Sequence, residues 1–197
     1  MAVPVQKGNF AYLSSGTWSL LGIESSEPVI NSKTLGANFT NEGGFGNTIR
    51  ILKNIMGLWI YQECRREWLE KGEYASYDEL ESAALNCKAF LALIDPDDTE
   101  FYSPGSMPDK IRSYLKKTGQ PVLQTNAQIV RCIFESLALK YRMALESLEK
   151  IAGHPLPVLN VLGGGCKNKV LLQFTSNAIK RPVIAGPIEA TATGNII

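Results

Sequence analysis

Between Thr125 and Gly153 the sequence carries one apolar stripe. Val130, Ile133, Phe134, Leu137, Tyr141, Ala144, Leu145, Leu148 and Ile151 recur at helical steps, which puts them on a single helix face. Thr125 and Gln128 form a capping box at its start, and Gly153 is placed to end it in the left-handed conformation. A helix this long needs a wide partner to cover its stripe, and the next segments supply one. Val158-Leu159-Asn160-Val161-Leu162 reads as a buried strand, Gly163-Gly164-Gly165 as a turn, residues 168–179 as a helix and Pro182-Val183-Ile184-Ala185 as another strand. A helix–strand–helix–strand run with short connections predicts an α/β fold with parallel strands.

The first half is read the same way. Phe10-Ala11-Tyr12-Leu13 and residues 17–23 are apolar runs around Ser14-Ser15-Gly16, a hairpin with a tight turn. A third short strand is expected over Leu35–Phe39, before the breaker Gly43-Gly44-Phe45-Gly46. Ile51, Leu52, Ile55, Met56, Leu58, Trp59 and Tyr61 have helical spacing, so a helix is expected from there towards Gly72. Ser76 with Glu79 caps a shorter helix through Ala84; Ala89–Ile94 is a buried strand or a loop; Pro108 opens a helix running to about Lys117.

Composition removes several function classes. Lys plus Arg number 20 against 19 Asp plus Glu, a net charge of +1, so no bulk positive charge draws the chain to nucleic acid. No apolar run approaches the ~20 residues that span a bilayer, and residues 2–7 lack the apolar core of a signal peptide. The expected location is the cytoplasm. Cys64, Cys87, Cys132 and Cys166 are far apart and do not make a zinc-type set. His154 has no catalytic partner in sequence, and no metal ligand is assigned. The abrupt start and the run Thr193-Gly194-Asn195-Ile196-Ile197 read as a piece of a longer protein.

Three small, polar turns carry the chemistry. Gly163-Gly164-Gly165 lies between a strand and a helix, where backbone N–H groups can approach a phosphate or a nucleoside; it is equally a tight strand-to-helix turn. The dinucleotide fingerprint is matched only in part, because Asn168 takes its last glycine position, and a Walker A loop is absent. Ser14-Ser15-Gly16-Thr17 can hold a phosphate on hydroxyls and amides, or be simply a turn. Glu189 to Asn195 suits a ligand-facing loop after a strand, and Thr191 or Thr193 suits a helix cap there. Arg65-Arg66 and Lys116-Lys117 read as solvated faces, and Trp18, Trp59 and Trp68 as core or interface residues. No nucleophile–base set is present, so the pattern points to nucleotide binding.

The segments Tyr12 to Leu20, Ala37 to Gly44, Arg50 to Trp59, Ile94 to Asp98, Cys132 to Ala138, Gly163 to Asn168 and Val183 to Ala190, in this order, resemble the FGGY family of carbohydrate kinases. The Asn54-Ile55-Met56-Gly57-Leu58-Trp59 and Gly16-Thr17-Trp18-Ser19 segments separate this branch from the glycerol and xylulose kinases. The resemblance covers almost the whole chain. It implies an actin-like (ribonuclease H-like) ATPase fold with a mixed sheet flanked by helices. Residues 1–197 would be the C-terminal ATP-binding domain of a two-domain sugar kinase.

The implied reaction moves the γ-phosphoryl of ATP, with Mg²⁺, to the 1-hydroxyl of L-rhamnulose. Carried over by position, Gly16 and Thr17 resemble contacts to the terminal phosphates, and Gln62 an ATP-site position on the first long helix. Gly164, Gly165 and Asn168 resemble the adenosine-side wall, and Asn54 a substrate-facing position. The family's general base is an Asp in a His-Asp-Thr segment upstream of the Gly16-Thr17-Trp18-Ser19 strand. No such segment occurs here, so no catalytic residue is assigned and the missing N-terminal domain is the expected partner. The alternatives are another sugar kinase of the family, such as a fuculokinase, a non-catalytic actin-like nucleotide-binding protein, or a dinucleotide-binding protein, which Asn168 argues against.

Overall fold

A computed structural model describes residues 9–73 and 76–190. Its centre is a six-stranded sheet in the order β3-β4-β2-β1-β5-β6. The strands are β1 (Ala11–Ser15), β2 (Trp18–Ser25), β3 (Thr40–Gly43), β4 (Ile49–Met56), β5 (Leu159–Leu162) and β6 (Val183–Ala185). Strands β1 to β4 pair antiparallel, whereas β5 runs parallel to β1 and β6 parallel to β5. The sheet is therefore mixed, and the parallel expectation holds for its second half only. A hairpin builds the first half, and a helical crossover between β5 and β6 the second.

The α-helices among the described residues are α1 (Ser32–Gly36), α2 (Trp59–Glu70), α3 (Tyr77–Leu85), α4 (Met107–Lys117), α5 (Asn126–Ala152) and α6 (Lys169–Ile179). Helix α5 has the expected caps: Thr125 accepts from the N–H of Gln128 in a capping box, and Gly153 closes it at φ 76°. Its 27 residues make a rod of about 40 Å at the α-helical rise. Leu13, Leu21 and Val161 are in register across the sheet. They share one buried cluster with Ile133, Phe134, Leu137, Tyr141 and Leu148 of α5 and Leu171 of α6.

Two expectations fail. Leu35 to Phe39 is not a strand: Asn31 caps α1 through the N–H groups of Lys33 and Thr34, and the next strand begins at Thr40. The helix expected from Ile51 is strand β4 followed by α2. Pairs of apolar residues four apart mimic a helix. Here β4 lies between β2 and β3, and Ile51 and Ile55 on one face are buried along with Leu52 and Met56 on the other. Residues 89–94 are a loop. Arg66 is exposed and pairs with Glu63 and Glu70, while Arg65 is half-buried over the Tyr77 ring at 4.2 Å. Trp68 is core, and Trp18 is half exposed.

The far end of the fold is tied by charge. Glu149 of α5 accepts from Arg181 at 2.6 and 3.0 Å and from the Leu156 amide at 2.7 Å. Arg181 also donates to the Leu156 carbonyl at 3.0 Å. Burial alone would raise the Glu149 pKa, but the Arg181 and Leu156 hydrogen bonds outweigh it and hold it below the usual value. We expect Arg181→Met to lower unfolding stability at pH 7 by about 1.5–3 kcal/mol, the worth of a charged hydrogen bond. Because the folded pKa is the lower one, the wild-type advantage is present above pH ~4.5 and shrinks as pH falls below it. Urea melts of both proteins across pH 3–7 check this.

Candidate functional site

The turn of the β1–β2 hairpin, Gly16-Thr17, is seated by the entry to α2. The amide of Leu58 donates to the Gly16 carbonyl at 2.9 Å, and those of Gly57 and Trp59 donate to the Thr17 carbonyl at 3.1 Å. A Cβ on Gly57 would stand 2.7 Å from the Gly16 oxygen, so only glycine lets the two backbones approach this closely. One helical turn later Gln62 reaches back, and the Thr17 hydroxyl donates to its Oε1 at 3.1 Å. Residues 45 apart in sequence thus meet at the carboxyl end of β1.

The second turn locks onto the first. Gly163 has φ 85°, and a Cβ there would stand 2.8 Å from the Ser15 carbonyl oxygen. A Cβ on Gly165 would collide with the Ser15 side chain. The other two glycines differ. A Cβ on Gly164 meets nothing, one on Gly16 meets only the Trp18 oxygen at an ordinary 3.7 Å, and neither residue has positive φ. The fold requires glycine at 163 and 165 and tolerates a side chain at 16 and 164. At these last two the absent side chain leaves open space for a ligand.

Between the turns lies a cleft of about 510 Å³. Gly16, Gln62, Gly164, Gly165 and Asn168 line it, and Thr17 is tied to it through Gln62. Asn168 is the N-cap of α6: its Oδ1 accepts from the Leu171 amide at 2.8 Å, while its Nδ2 is buried without a hydrogen-bond partner. An unpaired buried donor at the edge of a cleft is a group that a ligand oxygen or nitrogen can satisfy. The same helix start points the positive end of an 11-residue dipole towards the cleft. Asn54 stands apart. It is exposed on β4, paired with Leu20 of β2 on the sheet face away from the main core. Thr191, Thr193 and Asn195 lie outside the described residues.

Sequence reading missed the opposite wall, formed by Tyr61 of α2 and by Ser76, Tyr77, Asp78 and Glu81 at the start of α3. The Ser76–Glu79 capping box located α3 but carried no sign that its first turns face residues nearly ninety positions away. Tyr61 and Tyr77 meet edge to face, with centroids 5.5 Å apart. Burial, reinforced by nearby Asp78, pushes the Glu81 carboxyl up to about 7.

The FGGY family of carbohydrate kinases, C-terminal domain, matches over residues 11–197. The chain belongs to this family. Over 196 residues it is 54% identical to a rhamnulokinase of Bacteroides thetaiotaomicron, spanning 100% of this chain and 40% of that protein. It is 39% identical over 197 residues to a rhamnulokinase of Bacillus subtilis, again spanning 40% of it. The chain therefore spans about 40% of the length of the curated relatives it matches. Solved FGGY kinases share the fold. A xylulose kinase from Rhodospirillum rubrum superposes with a TM-score of 0.65 at 16% identity, over 98% of this chain and 39% of that one. Plasmodium falciparum glycerol kinase with ADP gives 0.61 at 18%, over 93% and 36%. The expected actin-like α/β fold with a mixed sheet is the one found.

Two outcomes follow for this FGGY domain. Gly165→Ala should cost about 1–3 kcal/mol of stability through overpacking against Ser15, whereas Gly164→Ala should stay within about 0.5 kcal/mol of wild type; urea midpoints compare them. The folded chain keeps the Glu81 proton to a higher pH than the unfolded chain, so this group lowers stability as pH rises from about 4.5 to beyond 7. Glu81→Gln should remove that slope, so its melting temperature gains on wild type between pH 5 and pH 8.

Proposed function

We propose that the chain is the ATP-binding domain of a sugar kinase that transfers the γ-phosphoryl of ATP to the 1-hydroxyl of L-rhamnulose. The observation that carries the nucleotide half is the cleft between two interlocked turns, with glycines at 16 and 164 that the fold does not need. The sugar half is supported by 54% identity to a rhamnulokinase. The sugar site and general base then belong to a second domain, and this domain alone binds ATP without transferring phosphoryl. We place the enzyme in the cytoplasm; no helix among the described residues is long and apolar enough to cross a membrane.

The residues fit the roles. Thr17 and the Gly16 backbone face the terminal phosphates; the Thr17 hydroxyl, which donates to Gln62 Oε1 in the free domain, turns its proton to a phosphate oxygen. Gly164 and Gly165 present bare backbone to the adenosine, and Asn168 offers its unpaired Nδ2. Mg²⁺ enters with ATP, held by phosphate oxygens, and supplies charge neutralisation. Asn54, exposed on β4, faces the sugar. Catalysis by this domain is positioning plus electrostatic stabilisation of charge on the transferring group.

A panel of ketoses and ATP assayed with the complete enzyme tests the reading; preference for another ketose would reassign the substrate while keeping the class. Thr17→Val keeps volume and removes the hydroxyl. We expect kcat to fall about 10-fold or more with a smaller change in ATP KM, the mark of a contact strongest in the transition state. Wild-type kcat in a folded variant would leave the turn as structure alone. Gly164→Val should weaken ATP binding at least ~10-fold in calorimetry with the melting temperature nearly unchanged, because its side chain fills the space kept for the ligand.

A further inference from the structure

Tyr141 sits in the middle of the α5 stripe and is fully buried. Any large apolar side chain would fill that volume, but a buried phenol needs a partner for its hydroxyl. Its partner is not on α5. The Tyr141 hydroxyl is 2.7 Å from Ser19 Oγ. Ser15 and Ser19 face each other across the hairpin as the last pair before the turn. The Tyr141–Ser19 bond therefore ties the hairpin to α5 directly below Gly16 and Thr17. Burial pushes the phenol up to about 12, so it stays protonated and able to donate.

Ser15 is the residue against which Gly163 and Gly165 pack. A bond that holds Ser19 holds its cross-strand partner Ser15, and with it the spacing between the two turns of the cleft. The preceding residue of α5 reaches the other flank. Lys140 is paired with Asp97 at 2.9 Å, and Asp97 accepts from the Met56 amide at 2.8 Å, just before Gly57. Adjacent residues of one rigid helix thus hold both sides of the Gly16-Thr17 turn.

We propose that Tyr141 is a positioning residue for phosphoryl transfer: its hydroxyl, bonded to Ser19, sets the Gly16-Thr17 turn against the Gly163–Gly165 turn so that Thr17 meets the transferring group. This rests on the nucleotide reading given above. Loss of the hydroxyl leaves the volume filled and the core intact, yet frees the turn to shift by the fraction of an ångström to which phosphoryl transfer is sensitive.

The experiment uses the full-length enzyme with Tyr141→Phe, Ser19→Ala and the double variant. For Tyr141→Phe we expect kcat to fall about 10-fold, ATP KM to rise less than about 3-fold and sugar KM to hold, the split expected when a contact matters mostly in the transition state. Ser19→Ala should show the same split and serves alone if Tyr141→Phe does not fold. The double variant removes both members of the pair and should regain part of the lost stability, while kcat stays low. Wild-type kcat in a folded Tyr141→Phe protein, or kcat that recovers with stability in the double variant, overturns the proposal. A wild-type protein without calorimetric ATP affinity overturns the nucleotide reading itself, and this proposal with it. Affinity in the wild type with unchanged kinetics in the variants overturns this proposal alone.

Discussion

The packing of the Gly163–Gly165 turn onto Ser15 is the contact from which the rest of the site follows. Ser15 ends β1, and the glycine turn ends β5, its parallel neighbour. Parallel strands side by side bring their carboxyl ends to one edge of the sheet, and the connections leaving them must share that edge. The glycine turn then packs directly on Ser15, with no side chain of its own at 163 or 165 to hold it off. The main core supports this from one side only: Leu13, Leu21 and Val161 lock the strands onto α5, and the edge of the sheet stays free for the cleft.

The glycines at this edge serve two different ends. Positions 163 and 165 are closed by sterics, through positive φ at one and collision with Ser15 at the other. Positions 16 and 164 are open, and their lack of a side chain creates room instead of relieving strain. A sequence motif cannot make this distinction, because all four are the same letter in short polar turns. Their surroundings separate them: a side chain at 163 or 165 would run into Ser15, and one at 16 or 164 would not.

The facing wall has another character. Asp78 and Glu81 put acid opposite the glycine turns, and their mutual repulsion with burial keeps a proton on Glu81 to about 7. That wall would repel an anion, whereas Lys167 and the start of α6 line the other side, so the cleft is polar across its width.

Some of this was fixed locally. The caps of α3 and α5, the hairpin at Gly16, and the strand–glycine–helix unit from Leu159 to Ile179 involve residues within a few positions of one another, and each was legible in the sequence. The resemblance singled out Gly16, Gln62, Gly164, Gly165 and Asn168, and the structure brings all five to one cleft. Strand β4 was not legible. Its apolar pairs at Ile51-Leu52 and Ile55-Met56 fit a helix period until neighbouring strands bury both faces, and only the sheet decides that. The α3 wall, Arg65 on the Tyr77 ring and the Tyr141–Ser19 bond were equally invisible. They join residues from 12 to 122 positions apart, so their geometry exists only after the elements that carry them have packed together.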